Sequence, residues 1–121
     1  VAAGLRLVEE GRLLLVQQQV DAARERFERS LSVDPSGPYA YYFLAQLSYQ
    51  RQSYDQASAF AGRAAGLARR STPAWQARIG ALQGSVYEAV GKYPEARQAY
   101  QQALRVDPGN ATARAALGRI E

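Results

Sequence analysis

The chain has no cysteine, no histidine and no methionine, and Lys92 is its single lysine. Without cysteine there is no disulfide framework, and the redox compartment leaves no mark on the composition. Without histidine, the commonest metal ligand and the commonest general base are both missing. Catalysis would have to be assembled from carboxylates and tyrosines. The adjacent pair Glu9-Glu10 points to different sides of a helix and cannot work as acid and base together. The glycines follow no strand and so form no phosphate-cradling loop. We therefore expect no catalytic residue, no metal site and no cofactor. No apolar run approaches the roughly 18–20 residues that cross a bilayer, and no leader or lipidation pattern is present.

What is present fits a single domain: 121 residues, 47% of them hydrophobic and 21% charged. The net charge of +4 is local. Between Gln56 and Tyr87 stand Arg63, Arg69, Arg70 and Arg78 with no acid, leaving 11 basic residues against 11 acidic ones elsewhere. Four arginines over three helices make a thin phosphate footprint, and no recognised nucleic-acid motif accompanies them, so nucleic acid is not the expected partner. The preference for Arg over Lys suggests a GC-rich, bacterial genome. The chain opens at Val1 and stops inside a helical pattern, which reads as an excerpt of a longer protein.

Internal repetition organises everything else. Laid against itself with Gly11 on Gly84, the chain also sets Ala23 on Ala96, Phe27 on Tyr100 and Leu31 on Leu104. Val33-Asp34-Pro35 likewise falls on Val106-Asp107-Pro108. A middle copy, which starts at Pro38 as the first starts at Gly4, places Ala45, Tyr54, Ala57, Ala61 and Ala64 at equivalent positions. Apolar spacings of three and four run within each copy, and Gly, Pro, Asp and Ser punctuate between them. This pattern predicts seven helices, near residues 5–18, 21–33, 38–51, 54–69, 73–90, 94–106 and 110–121, and no strands.

Two helices in a repeat of roughly 34 residues, with small residues at positions 8 and 20, an aromatic at 24 and proline at 32, resemble the tetratricopeptide repeat. The first copy supplies Gly11, Ala23, Phe27 and Pro35 at those places, and the third supplies Gly84, Ala96, Tyr100 and Pro108. The middle copy supplies Ala45, Ala57 and Ala61, with Arg69 in place of proline and the aromatic displaced to Phe60. The resemblance implies an all-α fold, an α-solenoid of antiparallel helix hairpins in a right-handed superhelix. Its repeats span about 4–37, 38–71 and 77–110 of one domain. Residues 111–121 form a terminal helix, either a cap or the start of a fourth repeat. The third copy begins at Ala77, where the spacing from Gly4 to Pro38, applied again, would start it at Thr72. Thr72-Pro73 makes a good helix start there, so the fifth helix is expected to carry an extra turn bearing Trp75. Gly62 and Gly66 imply either a close helix approach or a compliant fourth helix, and close approach to the fifth is the reading we favour.

The resemblance also implies a protein-binding groove lined by the first helix of each hairpin. The lining positions hold Leu5, Val8, Arg12, Leu15 and Val16 in the first copy. They hold Tyr39, Tyr42, Gln46, Tyr49 and Gln50 in the second, and Arg78, Ala81, Ser85, Glu88 and Ala89 in the third. Tyrosine gives large contact area and a hydroxyl at low entropic cost, although these rings could equally fill space between helices. Arg12, Tyr39, Tyr42, Gln46, Tyr49 and Arg78 are the candidate partner-binding residues, suited to a protein or peptide with acidic and apolar residues. The co-chaperone carboxylate clamp of the family is not expected, because its five places hold Val8, Arg12, Phe43, Arg78 and Leu82. A second patch, Arg63, Arg69, Arg70 and Trp75, would suit an anionic partner, although Arg69 and Arg70 also fit as helix-terminal cations. Self-association of the stack, or packing on other parts of its own chain, is the structural alternative.

Overall fold

The computed structural model describes residues 2–121. Among them are seven α-helices and no strand: α1 (Ala2–Val16), α2 (Val20–Val33), α3 (Pro38–Gln50), α4 (Tyr54–Leu67), α5 (Pro73–Ala89), α6 (Tyr93–Val106) and α7 (Ala111–Ile120). They pair as antiparallel hairpins α1–α2, α3–α4 and α5–α6, and α2–α3, α4–α5 and α6–α7 pack next to one another in order. No described helix is long and apolar enough to cross a membrane.

The three hairpins turn in the same way. Gln18, Gln52 and Gly91 follow the first helices in the left-handed conformation, with φ of 63°, 66° and 81°. One residue further on, the amides of Gln19, Ser53 and Lys92 reach back to the carbonyls of Leu14, Ser48 and Tyr87 at 2.8, 2.8 and 2.9 Å. That six-to-one bond occupies a carbonyl the helix end would otherwise leave open.

The links between hairpins differ. After α2, Asp34 accepts from the Ser36 amide at 3.2 Å, and after α6 Asp107 accepts from the Gly109 amide at 3.1 Å. Both turns carry a proline, which cannot donate and ends the helix. The middle link has none. There α4 passes into a 3₁₀ turn, Ala68–Arg70, instead of running on to residue 69 as its periodicity suggests. The Gln76 side-chain amide closes that turn, donating to the carbonyls of Ala68, Arg69 and Ser71 at 3.3, 3.2 and 2.9 Å. α5 then starts one turn early, as expected: the Thr72 hydroxyl caps it by accepting from the Trp75 amide at 3.3 Å.

The core falls in two parts. Around α3 it is aromatic: Phe27, Tyr41, Tyr42 and Phe43 are buried with Leu44 and Leu47. Around α6 it is made of small residues, Ala77, Ala81, Ala96, Ala103, Ala113 and Ala116, about one buried ring, Tyr100. The close packing of α4 comes from its alanines, since Ala57, Ala61 and Ala64 are buried. Gly62 and Gly66 face open space, where an added Cβ meets nothing within 4 Å. The expectation that they mark a close approach to α5 is therefore wrong. Small residues permit contact only on the side that faces a neighbour.

Candidate functional site

α3 and α5 touch one another, and α7 packs on α5 and α6. Between them is an open cavity of about 340 Å³. Tyr42, Gln46, Tyr49 and Gln50 line it from α3, Arg78, Ala81, Leu82 and Ser85 from α5, and Asn110 and Thr112 from the start of α7. Four of the candidate residues, Tyr42, Gln46, Tyr49 and Arg78, thus meet at one place. The contribution of α7 was missed. The signal was available, because Asn110 is a strong N-cap type: its side chain accepts from the Ala113 amide at 2.9 Å.

Arg78 is the pivot of this site. Its guanidinium carbon stands 4.8 Å from the Trp75 ring centre, 5.0 Å from that of Tyr42 and 5.8 Å from that of Phe43. Its Nε donates to the Tyr42 hydroxyl at 3.0 Å. The side chain is exposed and makes no salt bridge among the described residues. A guanidinium held by its flat face and one edge keeps the remaining N–H groups directed outward, in the fork that suits a carboxylate.

Arg12 does not line the cavity but approaches two of the same rings: its guanidinium carbon is 5.4 Å from the Phe43 ring centre and 6.0 Å from that of Trp75. Its own acid is Glu9, at 3.3 Å on the surface. Tyr39 packs edge-on to Trp75 with ring centres 4.9 Å apart, and its hydroxyl shares a 3.5 Å hydrogen bond with Ser71. The tyrosines therefore split. Tyr42 is buried and shows the cavity its hydroxyl, whereas Tyr39 and Tyr49 are only partly covered. Val8, another groove position, is buried as well.

The second candidate patch does not hold together. Trp75 belongs with the groove rings, at 4.9, 5.4 and 6.0 Å from Tyr39, Tyr42 and Phe43. Its extra helical turn folds it inward over α3 instead of letting it protrude. Arg63 rests on Tyr41, 5.5 Å from the ring centre, and donates to its hydroxyl at 3.4 Å. Arg69 sits at the rim of a separate 360 Å³ hollow floored by Ala65, Ala68, Ile79 and Ala103. Arg70 is exposed beside it at the end of the 3₁₀ turn.

A polar network holds α7 where it can complete the cavity. The Tyr100 hydroxyl donates to Glu88 at 2.8 Å and lies 3.2 Å from the Ser85 hydroxyl, which also faces the cavity. Arg119 of α7 grips the same Glu88 carboxylate with both of its terminal nitrogens. The bond from Arg119 holds the Glu88 carboxyl below its ordinary value, Tyr100 adding to the effect against the opposing influence of burial. Burial pushes the Tyr100 hydroxyl up to about 12. Glu88, a groove position by register, is thus occupied in joining α5, α6 and α7.

Comparison with known proteins agrees with this architecture. The tetratricopeptide repeat family matches residues 8–74, and a second TPR repeat family matches residues 84–120. No curated protein matches the chain by sequence. Among solved structures, the first TPR of Spaghetti (RPAP3), bound to the HSP90 peptide SRMEEVD, superposes with a TM-score of 0.86 at 23% identity, covering 98% of this chain and 90% of that one. The Arabidopsis OM64 TPR domain gives 0.86 at 19% identity, covering 98% and 94%. The second TPR domain of human RPAP3, in complex with the HSP70 peptide SGPTIEEVD, gives 0.82 at 21%, covering 98% and 95%. At these identities the structural likeness is one of fold, while the sequence match of the first family spans more than half of the chain. With three hairpins stacked in order and both halves matched, the chain belongs to the tetratricopeptide repeat family, whose domains are protein-interaction modules.

Proposed function

We propose that this chain is an adaptor segment that holds an extended peptide or a partner helix in the groove between α3, α5 and α7, with Arg78 taking an acidic side chain. The observation that carries this reading is the setting of Arg78. It is exposed, braced on Trp75 and Tyr42, and free of acidic partners among the described residues, at the edge of a cavity lined with amides and hydroxyls. Gln46, Gln50, Asn110 and Thr112 can satisfy the backbone N–H and C=O groups of a ligand that leaves water. Trp75 and Tyr39 offer an apolar surface next to the charge. The ligand that fits has a carboxylate next to an apolar residue.

The HSP90 and HSP70 peptides held by two of the solved neighbours both end in EEVD. A tail of that kind does not suit this groove. Of the five clamp places, Val8, Phe43 and Leu82 are apolar and buried here, so they offer no hydrogen bond to a terminal carboxylate.

Selection from a displayed library of random peptides tests the reading. Acidic residues beside apolar ones should be enriched, and Arg78→Ala should weaken the selected peptides about tenfold, the loss of one charge-assisted pair. Tyr49→Ala and Gln46→Ala should weaken them less. Tyr42 is buried, so Tyr42→Phe is the clean change there, and the alanine variant would confuse folding with binding. Selected peptides that bind Arg78→Ala as tightly as wild type would sink the proposal. Binding that salt weakens steeply but Arg78→Ala does not would point to Arg69 and Arg70 instead.

A further inference from the structure

We infer that α1 carries a second interaction surface, separate from the cavity between α3, α5 and α7, through which two copies of this chain pack antiparallel about Glu9. Ala2, Leu5, Glu9, Leu13 and Val16 follow one another at spacings of three, four, four and three and so share one side of the helix. All are exposed, Leu5 by 46%, Leu13 by 63% and Val16 by 82%. No other helix among the described residues leaves three large apolar side chains this open. A row of this kind on one helix marks a surface that something covers.

The other first helices narrow down what covers it. By repeat register Leu13 corresponds to Leu47 of α3 and Val86 of α5, both buried, and these two helices pack on α2 and α4. Around that position, however, α3 buries Ala40, Phe43 and Leu44, where α1 has Arg6, Glu9 and Glu10. A hairpin stacked on α1 as α2 stacks on α3 would bury three charges. α1 is therefore a poor seat for another repeat and a better one for a helix that brings charges of its own.

A second α1 is such a helix. The spacing is symmetric about Glu9, so an antiparallel copy sets Leu5 against Leu13 and Ala2 against Val16 on both sides of the centre. Arg6 and Arg12 each stand three positions from Glu9, so the two central carboxylates face four guanidiniums. Arg12 and Glu9 already pair at 3.3 Å within one chain. The contact is self-complementary and closes on itself, as a two-fold dimer must. One helix face falls short of the roughly 800 Å² per partner typical of stable complexes, so the dimer should form in the upper micromolar range.

Sedimentation velocity from low micromolar to millimolar chain should show the mass rising from 13.2 kDa toward twice that value. Leu13→Arg, at an exposed position, should keep the chain monomeric with unchanged helicity, and Val16→Glu should do the same. Because the chain has no cysteine, introduced thiols report the register. Under oxidation Glu9→Cys should cross-link to itself. Leu5→Cys and Leu13→Cys should cross-link when mixed but not singly. A monomer at millimolar concentration would overturn the inference and leave the strip to another partner. Self-cross-linking by Leu13→Cys alone would overturn the antiparallel register.

Discussion

In the first hairpin Gly11 lies beneath the ring of Phe27, and in the third Gly84 lies beneath the ring of Tyr100. A Cβ on either glycine would come within 2.5 Å and 2.6 Å of ring carbons, closer than any real contact. Both rings are buried, at 0% and 1% exposure. Their surroundings differ. Phe27 stacks on Phe43 with ring centres 5.1 Å apart, in an aromatic core that continues to Trp75. Tyr100 has no such stack and instead spends its hydroxyl on Glu88 and Ser85. In the first copy, the counterparts of Ser85 and Glu88 are Arg12 and Leu15. One position in the repeat is thus filled by the same ring, once with a receiver for a hydroxyl and once without.

The middle hairpin completes the lesson. It has Ala45 where the others have glycine and Ala61 where they have the ring, and its aromatic, Phe60, packs on Tyr41 from one residue away, with centres 6.3 Å apart. The glycine therefore belongs to the ring above it and not only to the crossing of two helices.

Removing the ring should break the comparison most strongly. Phe27→Ala is expected to cost about 3–5 kcal/mol in chemical denaturation, by cavity formation. Adding Gly11→Ala to that variant should recover part of the loss, because the pair then copies Ala45 and Ala61. A double variant less stable than the single one would mean that the glycine serves the helix crossing alone.

Exchanging the hydroxyls comes next. Phe27→Tyr buries a hydroxyl opposite Leu15 and should cost about 1–3 kcal/mol. Tyr100→Phe removes the bonds to Glu88 and Ser85 and should cost about 1 kcal/mol. Equal costs in thermal or urea melts would show that the two surroundings do not differ as described.

Titration separates the ends of the chain further. Glu88 has its carboxyl lowered when folded, so its contribution is complete above the ordinary value of 4.5 and is lost as pH falls through the lower folded value. Tyr100 is raised, so its contribution is complete below 10.0 and is lost as pH climbs toward about 12. Amide protection in α7, corrected for the intrinsic pH dependence of exchange, should therefore fall at both extremes, while the ring of Phe27, which cannot ionise, adds no such dependence. Glu88→Gln should remove the acid limb and Tyr100→Phe the alkaline one. If α7 exchanges identically in Glu88→Gln and wild type across the acid range, the Arg119 link does not hold that helix.

The smallest effect concerns the tight turns. Gln18 and Gln52 occupy the left-handed position that Gly91 takes in the third hairpin. Gln52→Gly should stabilise by about 0.5–1 kcal/mol, less any entropy glycine returns to the unfolded chain. Gly91→Ala should destabilise by a similar amount. A shift of the opposite sign in either melt would mean that the glutamine side chain compensates for its backbone.

Much of this was legible in the order of residues. Spacings of three and four placed the helices to within about three residues at either end, because burial of one helical face repeats with the helix itself. Turn residues placed the breaks, and the match of the chain to itself identified Gly11 with Gly84 and Phe27 with Tyr100 before any contact was seen. The helices, the breaks and the matched positions depend on local backbone preference and on period, which a single chain carries in its sequence. The groove wall of Tyr39, Tyr42, Gln46, Tyr49 and Gln50, flanked by Arg78, came instead from the resemblance to the tetratricopeptide repeat.

The rest required the helices to be set against one another. Trp75 turns inward because α5 starts beside α3, and only that packing puts it beneath Arg78. Gly62 and Gly66 look like contact residues by composition, yet they face open space, because the buried side of α4 is made by Ala57, Ala61 and Ala64. Arg63 and Arg69 are close in the sequence and have different neighbours in space. Asn110 and Thr112 join a cavity that begins as far back as Tyr42. The sequence by itself determined which residues form helices, where they turn and which repeat positions correspond, since period and turn chemistry act over short stretches of chain. Which side chains share a site was decided only in the tertiary structure, where the rotation and crossing of whole helices bring distant residues within reach.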